Sequence, residues 1–164
     1  MPRRIVVLGG AALAALAVAA PSGAQTPPAA QTLTVVEPAT GGTFNIVDNA
    51  PKSRRHGERT RFSVGDAVVL TNPVRDTTGK RIGRVRASCW VTKPGGFART
   101  ELDCLAVFAL STGNIYVTAP LTFSSSTTNG TVVGGTGAYQ GLHGTWTSVS
   151  HRDDSSTDTF NLTP

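Results

Sequence analysis

The side chains that can do acid–base chemistry are few in this chain, and their neighbours narrow what each can do. Ten acids stand among 164 residues. Three of them, Glu37, Asp48 and Asp66, lie beside strand-like apolar runs, where they would line or rim any cavity those runs enclose. A carboxyl group in apolar surroundings loses hydration, its pKa rises, and it becomes a usable acid or base near neutral pH. Turn-making competes with that reading, because Ser63-Val64-Gly65-Asp66 and Asp48-Asn49 are ordinary turn sequences. The histidines, His56, His143 and His151, lack metal-ligand spacing, and with two cysteines in the chain no zinc site is expected.

The cysteines take their meaning from the first segment. Arg3 and Arg4 precede an apolar run from Ile5 to Ala20, and Pro21-Ser22-Gly23-Ala24 supplies the small residues of a cleavage site. Met1–Ala24 therefore reads as a secretory signal cut after Ala24. Its apolar run is shorter than the about 20 residues that span a membrane. Gln25–Gln31, with Pro27-Pro28, reads as a flexible leader, and residues 32–164 as one domain. Outside the cytoplasm, Cys89 and Cys104 are expected to form a disulfide rather than a reactive thiol or a metal site. Strand-like runs flank Lys93-Pro94-Gly95-Gly96, and a hairpin turning there sets the two cysteines opposite one another.

Charge adds a second surface reading. The formal charge of +5 falls to +3 once Arg3 and Arg4 are removed. Lys52, Arg54, Arg55, Arg59 and Arg61 crowd one stretch against Glu58 alone. Such a run suits an anionic surface, although solvated loops look the same. No aromatic residue interleaves it for base stacking, so nucleic acid is not an expected partner.

The elements that must position these residues are strands. Eighteen glycines and ten prolines punctuate the chain. The apolar runs are Leu33–Glu37, Thr43–Val47, Ala67–Thr71, Ile82–Thr92, Arg99–Leu110, Asn114–Ala119, Gly130–Val133, Gly144–Val149 and Thr157–Leu162. Leu102, Cys104, Ala106, Phe108 and Leu110 alternate along one face, and beyond the signal no long window carries a helical stripe. So many short strands must hide their edges, which predicts an all-β fold, a closed antiparallel eight-stranded β-barrel, with an open sandwich as the alternative. A barrel of that size fills with side chains or holds one small ligand.

One segment, Val132-Val133-Gly134-Gly135-Thr136-Gly137-Ala138-Tyr139-Gln140-Gly141-Leu142-His143-Gly144-Thr145, resembles the glycine hairpin of the allene oxide cyclase-like barrel, a fold shared with plant dirigent proteins. Its glycines allow a close chain reversal, and Tyr139 is placed to pack over Gly134, Gly135 and Gly137, with Gly144 at a bend. A phosphate loop is not expected, because no Lys-Ser/Thr pair and no helix come after it. Further matches run in family order: Gly65-Asp66, Thr71-Asn72-Pro73-Val74-Arg75-Asp76, Gly79-Lys80, Ile82-Gly83, Cys89, Cys104 and Gly113-Asn114-Ile115. The resemblance covers roughly residues 33 to 162 and is strongest to small secreted bacterial members.

The resemblance implies a lumen that takes a small hydrophobic or phenolic ligand and cofactor-free chemistry, either isomerisation or cyclisation as in the cyclases or stereo-directed coupling as in the dirigent proteins. It also implies a homotrimer formed through the outer face, for which the strand around Trp90 is a candidate. By resemblance Glu37 stands for the cyclase's strand-one glutamate, Asn72 for a polar residue that holds a water, and Cys89 for its cavity cysteine. The cyclase's Gly-Pro-Tyr segment is Ala119-Pro120-Leu121 here, and Thr118 to Ser124 lacks the dirigent arginine. Glu37, Asp48 and Asn72 are therefore the candidate catalytic residues, and a non-catalytic extracellular binding or surface-interaction module is the alternative.

Overall fold

Strict alternation along the strands becomes, through their register, a single inner surface. A computed structural model of the chain describes residues 29–49 and 62–164. The expected signal, Met1–Ala24, and the basic residues Lys52, Arg54, Arg55, Arg59 and Arg61 lie outside the described residues.

The strands are β1 (Gln31–Glu37), β2 (Thr43–Val47), β3 (Ala67–Arg75), β4 (Arg81–Lys93), β5 (Glu101–Leu110), β6 (Gly113–Thr122), β7 (Thr127–Gly135), β8 (His143–Ser150) and β9 (Ser156–Thr163). From β3 to β9 they form an antiparallel meander in chain order. β1 then pairs with β9 from Gln31↔Leu162 to Glu37↔Ser156, and with β3 through Val36↔Arg75. Eight strands thus close on themselves, as the alternation predicts, rather than splitting into two sheets. Pro38 and Gly41-Gly42 interrupt the first strand, and β2 resumes along β3 from Thr43↔Thr71 to Val47↔Ala67. β1 and β2 are two halves of one seat.

β3 runs four residues beyond its expected end, through Pro73 to Arg75. A proline removes a ladder donor and is normally confined to free edges. Pro73 stands opposite the break between β1 and β2, where no partner strand needs its missing N–H. Pro120 is comparable, lying beyond Thr118↔Thr131, where the pairing of β6 with β7 ends.

On the inside, rungs cross β3 to β6 as Asn72–Val85–Phe108–Ile115, Leu70–Ala87–Ala106–Val117 and Val68–Cys89–Cys104–Ala119. The larger core cluster fills the barrel around Val35, Phe108, Ile115, Phe160 and Leu162. Phe108 meets Phe160 edge-on at 4.9 Å and Trp146 at 6.2 Å, which forms an aromatic layer across the middle. The glycine hairpin closes the far end. Tyr139 and Leu142 are buried there, and the Tyr139 hydroxyl lies 2.9 Å from Thr112 Oγ1. Gly137 has φ +61°, and a Cβ on it would press on the Thr112 carbonyl, so a side chain would push this hairpin off the β5–β6 turn. Gly134, Gly135 and Gly144 belong to the same corner, and from Gly137 the chain makes a single 3₁₀ turn, Gly137–Tyr139, not a longer helix. Among the described residues no helix is long and apolar enough to cross a membrane.

Cys89 and Cys104 pair directly across β4 and β5 and are disulfide-bonded. The bond agrees with an oxidising compartment. A loop of 15 residues closed by a disulfide is worth about 3 kcal/mol in the chain-entropy account. The double variant Cys89→Ser/Cys104→Ser is expected to lose about that amount. Urea unfolding under non-reducing conditions checks this, and an unchanged midpoint would show that the bridge constrains little.

Candidate functional site

The small residues of the second and third rungs create a space. Ala87, Ala106 and Ala119 stand on adjacent strands where Leu or Val would fill the lumen. Above the Phe108–Trp146 layer they leave a cavity of about 170 Å³. One wall is apolar, made by Leu70, Val85, Ala87, Ala106 and Val117 together with the disulfide. The other is polar, made by Glu37, Asn72, Thr128, Ser148, Ser150 and Ser156. The polar wall comes from the strands that close the barrel, β1, β8 and β9, with one residue each from β3 and β7.

Glu37 follows Val35 on the inner face of β1, and Val35 pairs with Asp158 on β9. The two acids are diagonal neighbours inside the barrel, a spacing at which side chains interact. Asn72 Nδ2 donates to Glu37 Oε2 at 2.8 Å, and Trp146 Nε1 donates to Asp158 Oδ1 at 3.1 Å. Asp158 is 0% exposed, and its buried Oδ2 has no hydrogen-bond partner among the described residues. Ser148 lies across from it on β8.

These surroundings set the electrostatics. Burial raises the Glu37 pKa, with the Asn72 and Asp158 contacts acting in the opposite direction. Burial, then the charge of Glu37, raises Asp158 well above the ordinary carboxylate value. Two such neighbouring groups titrate as a coupled pair. Both carboxyls therefore keep their protons to higher pH than exposed carboxyls do.

Asn72 owes its place to a glycine. A Cβ on Gly42 would overlap Asn72 Oδ1 and crowd the Thr71 carbonyl, so the interrupted first strand leaves room for the amide that holds Glu37. Of the expected site residues, Glu37 and Asn72 come together. Asp48 lies beyond β2, outside the set that lines the cavity. Asp66 is buried, but it accepts from Asn49 N (2.9 Å), Ser63 N (2.7 Å) and Ser63 Oγ (3.0 Å), the turn-fixing alternative open in the sequence. His143 and His151 are exposed. Sequence reasoning missed Asp158, whose signal was its alternation with Phe160 and Leu162 on the apolar face of the last strand.

No family model matches the chain, and no curated protein does. Solved structures do. A pyocyanin demethylase superposes with a TM-score of 0.63 at 19% identity, covering 81% of this chain and 100% of its own. The Diels–Alderase AbnU, described as exo-specific and intermolecular, gives 0.54 at 16%, covering 82% and 98%. The pterocarpan synthase dirigent protein GePTS1 gives 0.52 at 14%, covering 81% of each chain. At these identities the likeness is one of fold, and it includes the dirigent barrel.

This geometry has two measurable consequences. The folded pair keeps protons that the unfolded chain releases above about pH 4, so stability should fall as pH rises from there through the pair's raised range. Asp158→Asn imitates the protonated acid, keeps an acceptor for Trp146, and should flatten that decline. Thermal melts from pH 4 to 9 measure it, and a parallel decline in the variant would contradict the raised pKa of Asp158. Gly42→Ala should displace Asn72 and press on the Thr71 carbonyl, lowering stability and weakening any lumen binding that depends on Glu37, as thermal melts and ligand titration would register.

Proposed function

We propose that this chain is an exported barrel that takes one compact apolar or phenolic molecule into its lumen and moves a proton on it without a cofactor. The observation that carries this is the Glu37–Asp158 pair, whose Glu37 carboxyl opens onto a cavity with one apolar and one hydroxyl-bearing wall. Glu37, the member that lines the cavity, takes a proton from one atom of the ligand and returns it to another, which is the requirement of a cofactor-free isomerisation or cyclisation, while buried Asp158 behind it tunes its basicity. Asn72 holds Glu37, and Ser148 and Trp146 flank Asp158. Size limits the ligand: an apolar cavity of about 150 Å³ admits benzene, so 170 Å³ suits a single ring. The fold-level neighbours support such a use, since the three are described as a demethylase, a Diels–Alderase and a dirigent protein.

Export through Met1–Ala24 is part of this reading, and the disulfide between β4 and β5 fits it. Trp90 and Leu105, both exposed on the outer face of those strands, fit assembly into the expected trimer. The basic stretch from Lys52 to Arg61 would then be the part that meets an anionic surface.

Trp90 and Trp146 are the two tryptophans of the chain, so Trp90→Phe leaves a single reporter against the lumen. Phenol should quench Trp146 in that variant. Cyclohex-2-enone in D₂O should exchange its acidic hydrogens faster with protein than without, and Glu37→Gln should reduce the acceleration by about 10²-fold or more. NMR follows the exchange. Binding without acceleration would mark a carrier rather than an enzyme, and absence of binding would remove the lumen as a ligand site.

A further inference from the structure

Four of the six phenylalanines meet at the mouth of the barrel, brought from four separate segments. Phe44 comes from β2, Phe62 from just before β3, Phe97 from the 3₁₀ turn between β4 and β5, and Phe123 from the turn just after β6. Phe123 is the hub. It stacks on Phe97 at 4.3 Å with the rings 11° from parallel, lies 5.8 Å from Phe62, and takes Phe44 edge-on at 6.1 Å.

The group continues the cavity outward. Phe62 and Phe123 pack in the smaller core cluster with Cys89, Cys104 and Leu121, and those three also line the cavity. Phe44 is the register partner of Leu70, on the lumen-facing side of the sheet. The two barrel ends are nevertheless built differently. At the glycine-hairpin end Tyr139 and Leu142 are 7% and 1% exposed, whereas at the mouth Phe44 and Phe97 are left 50% and 48% exposed. Among the described residues nothing plugs this mouth. Aromatic faces held uncovered beside an apolar cavity offer offset-stacked and edge-on contacts to another ring.

The geometry points to an outer aromatic subsite: the ligand carries at least two planar rings, one entering the lumen towards Glu37 and the next lying against Phe44, Phe97 and Phe123. This rests on the lumen being a ligand site, and its ground is the mismatch between a cavity that holds one ring and a mouth surfaced with phenylalanines. Phe62 is buried and belongs to the support. Phe44 and Phe97, half exposed, are the specificity-determining residues.

The test uses the Trp90→Phe protein with Trp146 as reporter and three probes: phenol, 2-naphthol and its saturated counterpart decahydro-2-naphthol. 2-Naphthol should bind at least tenfold tighter than phenol, and decahydro-2-naphthol should gain much less. Phe44→Ala/Phe97→Ala should cut the naphthol advantage to threefold or less and leave phenol within twofold. Phe44→Leu/Phe97→Leu keeps apolar bulk without a ring and should also lose it. If phenol binds in a Glu37-dependent manner but naphthol gains nothing, or keeps its gain in both double variants, the subsite is refuted and the lumen reading stands. If no probe perturbs Trp146, both fall together.

Discussion

Closure of the sheet by β1 is the constraint on which everything else depends. Its seven residues pair with β9 along their whole length and reach β3 through Val36, and without that contact the meander from β3 to β9 would present two open edges. Closure also selects the face of every side chain it brings in. A shift of one residue in the β1–β9 register would turn Val35 and Glu37 outward and leave Asp158 alone inside. The seal of the barrel and the assembly of its acid pair are one event.

Burying two carboxyls is costly, and the structure shows how the cost is limited. Each acid receives a neutral donor, Asn72 for Glu37 and Trp146 for Asp158, and neither is matched by a cation among the described residues. An arginine or lysine would have held both in the ionised form and produced a structural ion pair. Neutral donors leave the proton in place and leave the pair titratable. Asp158 Oδ2 has no partner among the described residues, and burial without a counter-charge raises the pKa of this acid. Such an arrangement costs stability, as perturbed buried acids do.

The lumen is divided by strand origin. The β3–β6 wall, made by the long central hairpins, is apolar and stapled by the disulfide, and alanines on it leave the space. The opposite wall holds hydroxyls and acids where the chain closes and breaks. The break at Pro38 to Gly42 belongs to the same design, since it admits the Asn72 amide, tolerates Pro73, and starts β2 afresh so that Phe44 faces the mouth.

Much of this was legible in the sequence. All nine strands announce themselves by alternation and glycine or proline punctuation, and the Pro94-Gly95-Gly96 turn alone sets Cys89 against Cys104. Period-2 patterning and turn chemistry are local properties, so they determine strands, hairpins and the need to hide edges. Glu37 and Asn72 could be named through resemblance. Their contact, the pairing of Glu37 with Asp158 and the gathering of four phenylalanines could not, because each joins residues from opposite ends of the chain or from separate loops. Alternation shows that Asp158 shares a face with Phe160, but only the closing register decides which acid from the far end of the sequence lies beside it. Tertiary structure alone made that decision, since the distance between two strands is a property of the closed sheet and not of either strand.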